Sequence, residues 1–305
     1  MNAVIALVRG GADWPKPLGD KGFRIHRLEL PLVTATGVVV VDIFAVRDEP
    51  PQLLACEGKS GNNLEVEQAR RYGSLQTDDV RRQTRVPNGP VRVVYACFQE
   101  SRDRIRMGLD AAGIGASLIL LGADEARLEP TVGAEDLAFN VKVPLGSPPR
   151  FIPVDPESPD EEYREILIPE IVAAASQSVE HVTVRTLVER AVPMWTHFAG
   201  AQVGRPRDQA ARRIHGRAVD VLTALAGTSE FRDYFEIEPA GRDIVDAVVH
   251  IIKSPAGYAA QGETQGWQAI QRRAERSLRG RVRKVPPGQL SFEDLAREEQ
   301  VGTEE

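Results

Sequence analysis

Two acids and a lysine stand at a spacing that could do phosphoryl chemistry: Asp42, and then Glu57-Gly58-Lys59. Each lies in or beside an apolar run, Val38-Val-Val-Val-Asp42-Ile-Phe-Ala-Val46 and Leu53-Leu-Ala-Cys-Glu57. Carboxylates and an ammonium are costly to bury among such neighbours unless something offsets them, and a divalent cation with a phosphate would do so. Glu57 and Lys59, two apart on a strand, point to the same face. Gln68 and Tyr72, four apart on the helix that follows, share a helical face. Mg²⁺ accepts one or two carboxylates and keeps several waters. Asp42 and Glu57 therefore form a candidate ligand set, which Mn²⁺ would also suit. Phosphodiester hydrolysis needs a positioned water and a group that stabilises the charge gathering on phosphorus, and Lys59 is placed for either task. The plain alternative is a solvated acid–lysine pair at a strand end, with Gln68 and Tyr72 serving helix packing.

The elements around these residues are legible from periodicity. Residues 2–9 read as a short helix stopped by Gly10-Gly11. Residues 23–33 alternate apolar and polar and read as a half-buried strand. Residues 38–46 form a nearly continuous β-branched run and read as a strand covered on both faces. A third strand spans 52–59, and a helix runs from about 64 to 75. The Pro87-Asn88-Gly89-Pro90 cluster is a turn. A strand at 91–98, a helix at 100–112 and a strand at 116–121 follow. Three strands, helix, strand, helix, strand predicts an α/β layer with a mixed sheet rather than a doubly wound parallel one.

The series Asp42, Glu57-x-Lys59, Gln68-Ala-Arg-Arg-Tyr72 resembles the PD-(D/E)xK nuclease superfamily, in its Q-x-x-x-Y (RecB and restriction-like) branch, over roughly residues 23–121. The usual Pro-Asp is Val41-Asp42 here, and the cysteines of cluster-bearing members are absent. The resemblance implies a restriction-endonuclease-like mixed sheet flanked by helices and a Mg²⁺-dependent nuclease. By the same resemblance Asp42, Glu57 and the backbone carbonyl of Gly58 would hold the metal, Lys59 would act on the attacking water or the phosphate, Gln68 would orient the water shell, and Tyr72 would contact the nucleic-acid strand. Family members of this size act with other subunits, which suits restriction, phage defence or DNA repair. The rival is a catalytically inactive nuclease fold serving as a DNA-binding or regulatory subunit of a larger complex. A third reading is a structural subunit that docks through its tail and a basic helix.

Length and charge set the frame. At 305 residues, two domains are expected: a nuclease-like domain over 1–150, and a mainly helical, winged-helix-like or small-bundle domain over 161–285. A polar acidic tail, 286–305, follows. Residues 122–160 carry no clear period, and their Pro-rich runs 144–149 and 153–159 read as linker; helices are expected at 161–178, 183–195, 206–226 and 240–253, with a short strand within 231–238. The net charge of −6 argues against coating nucleic acid non-specifically, yet basic residues gather at 205–217 and 272–284. Arg70 and Arg71, Arg212 and Arg213, and Arg273 and Arg276 are the candidate phosphate contacts, with solvated helix faces as the alternative. The expected partners are DNA and a protein subunit or second copy of the chain. Two cysteines exclude a disulfide framework, a four-cysteine zinc site and an iron–sulfur cluster. His181, His197, His215 and His250 show no i, i+4 pairing, so zinc is not expected. Ser291-x-x-Asp294 reads as a capping box in preference to a sliding-clamp peptide at 289–292. No run approaches the ~20 apolar residues of a membrane span, and a reducing cytoplasm is the expected compartment.

Overall fold

The computed structural model describes residues 1–11, 13–59, 61, 64–198, 210–241 and 246–252. The basic segment 272–284, with Arg273 and Arg276, lies outside the described residues, as do the acidic tail, Ser60 and Asn62. The chain divides into two compact units. One is Met1–Phe151 with His197 and Phe198, and the other begins at Ile152.

In the first unit two helices, α1 (Asn2–Arg9) and α2 (Pro17–Asp20), precede three strands, β1 (Arg24–Thr34), β2 (Gly37–Arg47) and β3 (Gln52–Gly58). Then come α3 (Val66–Gly73), α4 (Thr77–Thr84), β4 (Val91–Phe98), α5 (Arg102–Ala112), β5 (Ser117–Leu121), β6 (Glu125–Glu129) and β7 (Phe139–Lys142). The seven strands form one mixed sheet in chain order. The β3–β4 and β4–β5 pairs are parallel and the others antiparallel. The parallel pairs fall where α3–α4 and α5 intervene, because parallel neighbours need a long connection. The protein is therefore α/β, with a mixed sheet flanked by helices. On the helical face, Phe44, Val46, Leu53, Ala55, Tyr95, Cys97, Leu118 and Leu120 form a core with Ala69, Tyr72, Ile105 and Leu109. Leu54, Cys56, Val94 and Ile119 between them are buried as well. That burial on both faces explains why β3 to β5 read as continuous apolar runs.

Several expectations need amending. The stretch without a clear period ahead of the Pro-rich runs supplies β6 and β7. In β6 only Ala126 and Leu128 are buried, a pattern too short to stand out. The helix expected over 64–75 is shorter, and α4 follows it on a polar stretch in which Val80 alone is buried. Strand β2 is not covered on both faces throughout. Near its start Val39 and Val41 are buried while Val38 and Val40 are 51% and 43% exposed. The free edge of β1 is partly blunted by α4. Gln83 accepts from the Val33 amide at 2.8 Å and donates to the Val33 carbonyl at 2.9 Å, standing in for a strand partner.

The turn before β4 has no room for a side chain at Gly89, where a Cβ would sit 2.5 Å from the Pro51 carbonyl group. Gly89→Ala is expected to destabilise the protein by about 1–3 kcal/mol, read from the urea unfolding midpoint. An unchanged midpoint would show that the turn moves aside freely.

The second unit contains α6 (Asp160–Ser176), β8 (His181–Thr183), α7 (Val184–Ala191), α8 (Ala210–Ala226), β9 (Phe235–Glu238) and β10 (Val248–Ile251). Its strands form an antiparallel sheet in the order β8-β10-β9. The helix expected at 240–253 is thus corrected, since β10 is the central strand. The β-branched run Val248-Val249-His250-Ile251 favours a pleated strand. The acidic, proline-rich stretch before α6 is also more than linker. Val154 and Ser158 are buried, and the Tyr163 hydroxyl donates to the Asp155 carbonyl at 2.9 Å. Among the described residues no helix is long and apolar enough to cross a membrane.

Candidate active site

Strands β2 and β3 pair as far as Ile43 and Cys56 and then part. Asp42 is the first residue beyond that pairing. Its carboxylate takes the amide that the ladder leaves unpaired, with Gly58 N donating to Asp42 Oδ2 at 2.7 Å. On the other side, β1 pairs Leu28 with Ile43 and Leu30 with Val41. Glu29 between them adopts a left-handed φ of 49°, so both neighbours of β2 are irregular at Asp42. The strand carries an acid where backbone pairing fails.

Glu57, at the end of β3, is 4% exposed and its carboxylate is held by three donors. Lys59 Nζ lies 2.8 Å and Gln68 Nε2 3.0 Å from Glu57 Oε1, and the Tyr72 hydroxyl lies 2.6 Å from Oε2. Lys59 Nζ also donates to Gln68 Oε1 at 2.8 Å. Asp42 thus meets the Glu57–Lys59–Gln68–Tyr72 network through Gly58. The helical spacing of Gln68 and Tyr72 brings both over β3, which is why an i, i+4 pair serves one carboxylate.

Burial, and then the charge of Glu57, push the Asp42 carboxyl up to about 6 from its usual 3.8, with the Gly58 amide and Lys59 pulling partly the other way. Two carboxylates in one half-dry place share an unfavourable field, and such clusters are where function concentrates. Burial and the nearby Glu57 charge raise the Tyr72 phenol as well, which keeps it a neutral donor.

Tyr72 requires a correction. It is fully buried, so it does not face a nucleic-acid strand. Its hydroxyl sits between Glu57 Oε2 and the Val40 carbonyl, the latter at 2.9 Å, and it positions the acid. Tyr72→Phe leaves both acceptors without that proton while keeping the ring on Tyr95 (centroids 5.7 Å apart). The expected cost is about 1–3 kcal/mol, read by urea unfolding. A role confined to nucleic-acid contact would instead leave stability unchanged.

The candidate phosphate contacts are placed as follows. Arg70 is paired with Glu67 at 2.5 Å, and Arg71 donates to the Val38 carbonyl at 3.3 Å. Arg81, Arg82 and Arg85 are exposed on and beside α4, with Arg82 held by Asp79. In the second unit Arg213 is paired with Glu157 and Arg217 with Asp160. His215 lies 2.7 Å from Asp246. Much of the positive charge of α8 is thus turned on the unit's own acids, although Arg212 and Arg213 remain exposed.

Sequence reasoning missed two features. Tyr95 of β4 lies beside Glu57 in the parallel ladder and is fully buried, with no hydrogen-bond partner for its hydroxyl. A tyrosine inside a run destined for burial on both faces was the available signal. His181 and His250 are cross-strand partners with Nδ1 atoms 2.9 Å apart, and His250 Nε2 lies 2.7 Å from Glu238. No i, i+4 test finds such a pair. His26 is half-buried, edge-on to Phe44 at 6.0 Å, and burial lowers its pKa. Among the described residues no group of three or more His, Cys, Asp and Glu side chains is arranged to hold a metal ion.

Comparison with known protein families, curated proteins and solved structures finds no match to this chain.

Proposed function

We propose that the protein is a Mg²⁺-dependent deoxyribonuclease of the PD-(D/E)xK type, acting in restriction, phage defence or DNA repair. The observation that carries this reading is the convergence of Asp42, Glu57, Lys59 and Gln68 where β2 and β3 part. Two carboxylates separated by a glycine amide, with a lysine against them, suit a hydrated cation better than an all-protein cage. Gly58 brings its backbone close to the acid, since a Cβ there would lie 3.4 Å from Asp42 Oδ2, ordinary van der Waals contact. Mg²⁺ held by Asp42, Glu57 and the Gly58 carbonyl, or Mn²⁺ in its place, would supply a Lewis acid for the phosphoryl oxygen and acidify water.

The chain's own groups have distinct tasks. Tyr72 and Gln68 fix the two oxygens of Glu57. Lys59 spends two of its three N–H donors on Glu57 Oε1 and Gln68 Oε1, which aims the third. That proton is available to a phosphate oxygen or to the attacking water. Lys59→Ala and Asp42→Ala, assayed on single-stranded, duplex and supercoiled DNA with Mg²⁺ or Mn²⁺, test the reading. Loss of cleavage in both variants supports it, and cleavage equal to wild type sinks it.

The restriction-endonuclease-like assignment rests on the order of strands, crossover helices and site residues. For the second unit, the order helix, strand, helix, helix and hairpin with a β8-β10-β9 sheet supports a winged-helix-like reading. Its partner would be DNA or a protein subunit. A second functional reading, an inactive nuclease fold that binds DNA or regulates a complex, draws on one observation: Lys59, Gln68 and Glu57 satisfy one another, as a purely structural network would. It predicts salt-dependent DNA binding without metal-dependent cleavage.

A further inference from the structure

The first unit holds a cavity of about 420 Å³ beside Asp42, which hydrolysis by Asp42, Glu57 and Lys59 does not by itself require. Asp42, Gly58 and Lys59 form part of its wall, and Trp14, Phe98 and Glu125 also line it. Gly58, Phe98 and Leu121, the last residues of the parallel strands β3, β4 and β5, all border the cavity. The carboxyl ends of parallel strands are where open α/β sheets bind their ligands.

We propose that this cavity receives the base of the nucleotide adjoining the scissile phosphate, so that the DNA strand is unpaired where it is cut. The inference rests on the nuclease reading only for where the phosphate lies. The volume falls in the range of small-molecule sites, roughly 300–1,000 Å³, and suits one nucleoside. Trp14 is only half-buried, so it has surface left for a base to stack on, and every base presents a π-face. Glu125 is half-buried on the same wall and can accept a hydrogen bond from an exocyclic amino group, as carboxylates do from cytosine N4. Lys59 and Asp42 on the adjoining wall fix the side on which the sugar-phosphate runs. A stacked duplex has no base free to enter, so it must first unpair or flip a nucleotide.

The test is calorimetric titration of the metal-free full chain with dCMP, dTMP and 2-deoxyribose 5-phosphate. The expected result is dCMP binding at least about 10-fold tighter than the base-free sugar phosphate. Trp14→Ala should weaken dCMP by roughly 5- to 100-fold and Trp14→Phe much less, which a fold defect in the alanine variant would not reproduce. Glu125→Gln should narrow the preference for dCMP over dTMP. Equal binding of dCMP and the sugar phosphate, no binding of either, or a Trp14→Ala variant with wild-type affinity would overturn the proposal. Cleavage that depends on Lys59 without any binding of dCMP would remove the base site and leave the nuclease reading standing. Binding of dCMP by a protein that cuts no DNA would do the reverse.

Discussion

Lys59→Met is expected to slow DNA cleavage by about 10²- to 10⁴-fold, the range a positioned acid–base or charge-stabilising group contributes, while DNA affinity changes only a few-fold. Methionine is the informative replacement because it keeps the apolar stem, which is part of what a buried lysine packs with. The lysine side chain is 15% exposed and that of Glu57 6%, so removing the ammonium takes away one of three donors from a nearly dry carboxylate. Gln68 and Tyr72 remain in place on Glu57. The fold should therefore survive with a loss of a few kcal/mol at most. The discriminating readout is the pair of effects together. A structural lysine would show the stability loss with any fall in cleavage matched by a fall in folded protein. A lysine that serves the reaction shows the rate loss in protein that is fully folded by circular dichroism. Cleavage by the variant within about 3-fold of wild type would reassign the charge stabilisation to another group.

What was legible in the sequence follows the range of the interactions. Asp42, Glu57, Lys59 and Gln68 could be read together because two adjacent strands and the next helix place them by local geometry alone. Depth could not be read in the same way. Helical spacing puts Gln68 and Tyr72 on one face, but only packing against Tyr95 and β2 shows that Tyr72 is buried while Gln68 is only half-buried. Strands β6 and β7 escaped because an outer strand buries two residues or fewer and its alternation is short. Helix α4 escaped because a single buried valine carries no period. Strand β10 was read as a helix because its apolar residues also fit 3.6 spacing, and its partners β8 and β9 lie far along the chain or across a turn. The same distance hides the His181–His250 pair. Each miss is a place where tertiary contact, not local pattern, decides the conformation.

Asp42→Asn is expected to stabilise the metal-free protein above neutral pH while abolishing cleavage. The Asp42 carboxyl is raised from 3.8 to about 6, first by burial and then by the charge of Glu57. A carboxyl with a higher pKa folded than unfolded binds its proton more tightly in the folded state. Folding stability then falls as pH climbs through this interval and stays low above it. At about 1.4 kcal/mol per unit, the ionised form costs up to about 3 kcal/mol near pH 8. Asparagine keeps an oxygen for the Gly58 amide, which now donates to Asp42 Oδ2 at 2.7 Å, and removes the like charge facing Glu57. A gain of roughly 1–3 kcal/mol at pH 8 is expected, shrinking toward zero as pH falls to about 4. Mg²⁺ should raise the wild-type unfolding midpoint at pH 8 by mass action and leave that of Asp42→Asn much less affected. The two arms separate the causes. A gap that does not depend on pH would locate the gain in packing rather than in the charge of Asp42. An unchanged wild-type midpoint with added Mg²⁺ or Mn²⁺ would remove the cation from the site. If both arms behave as expected, the instability stored at Asp42 is the same field that draws the cation in, and a single side chain sets stability against function.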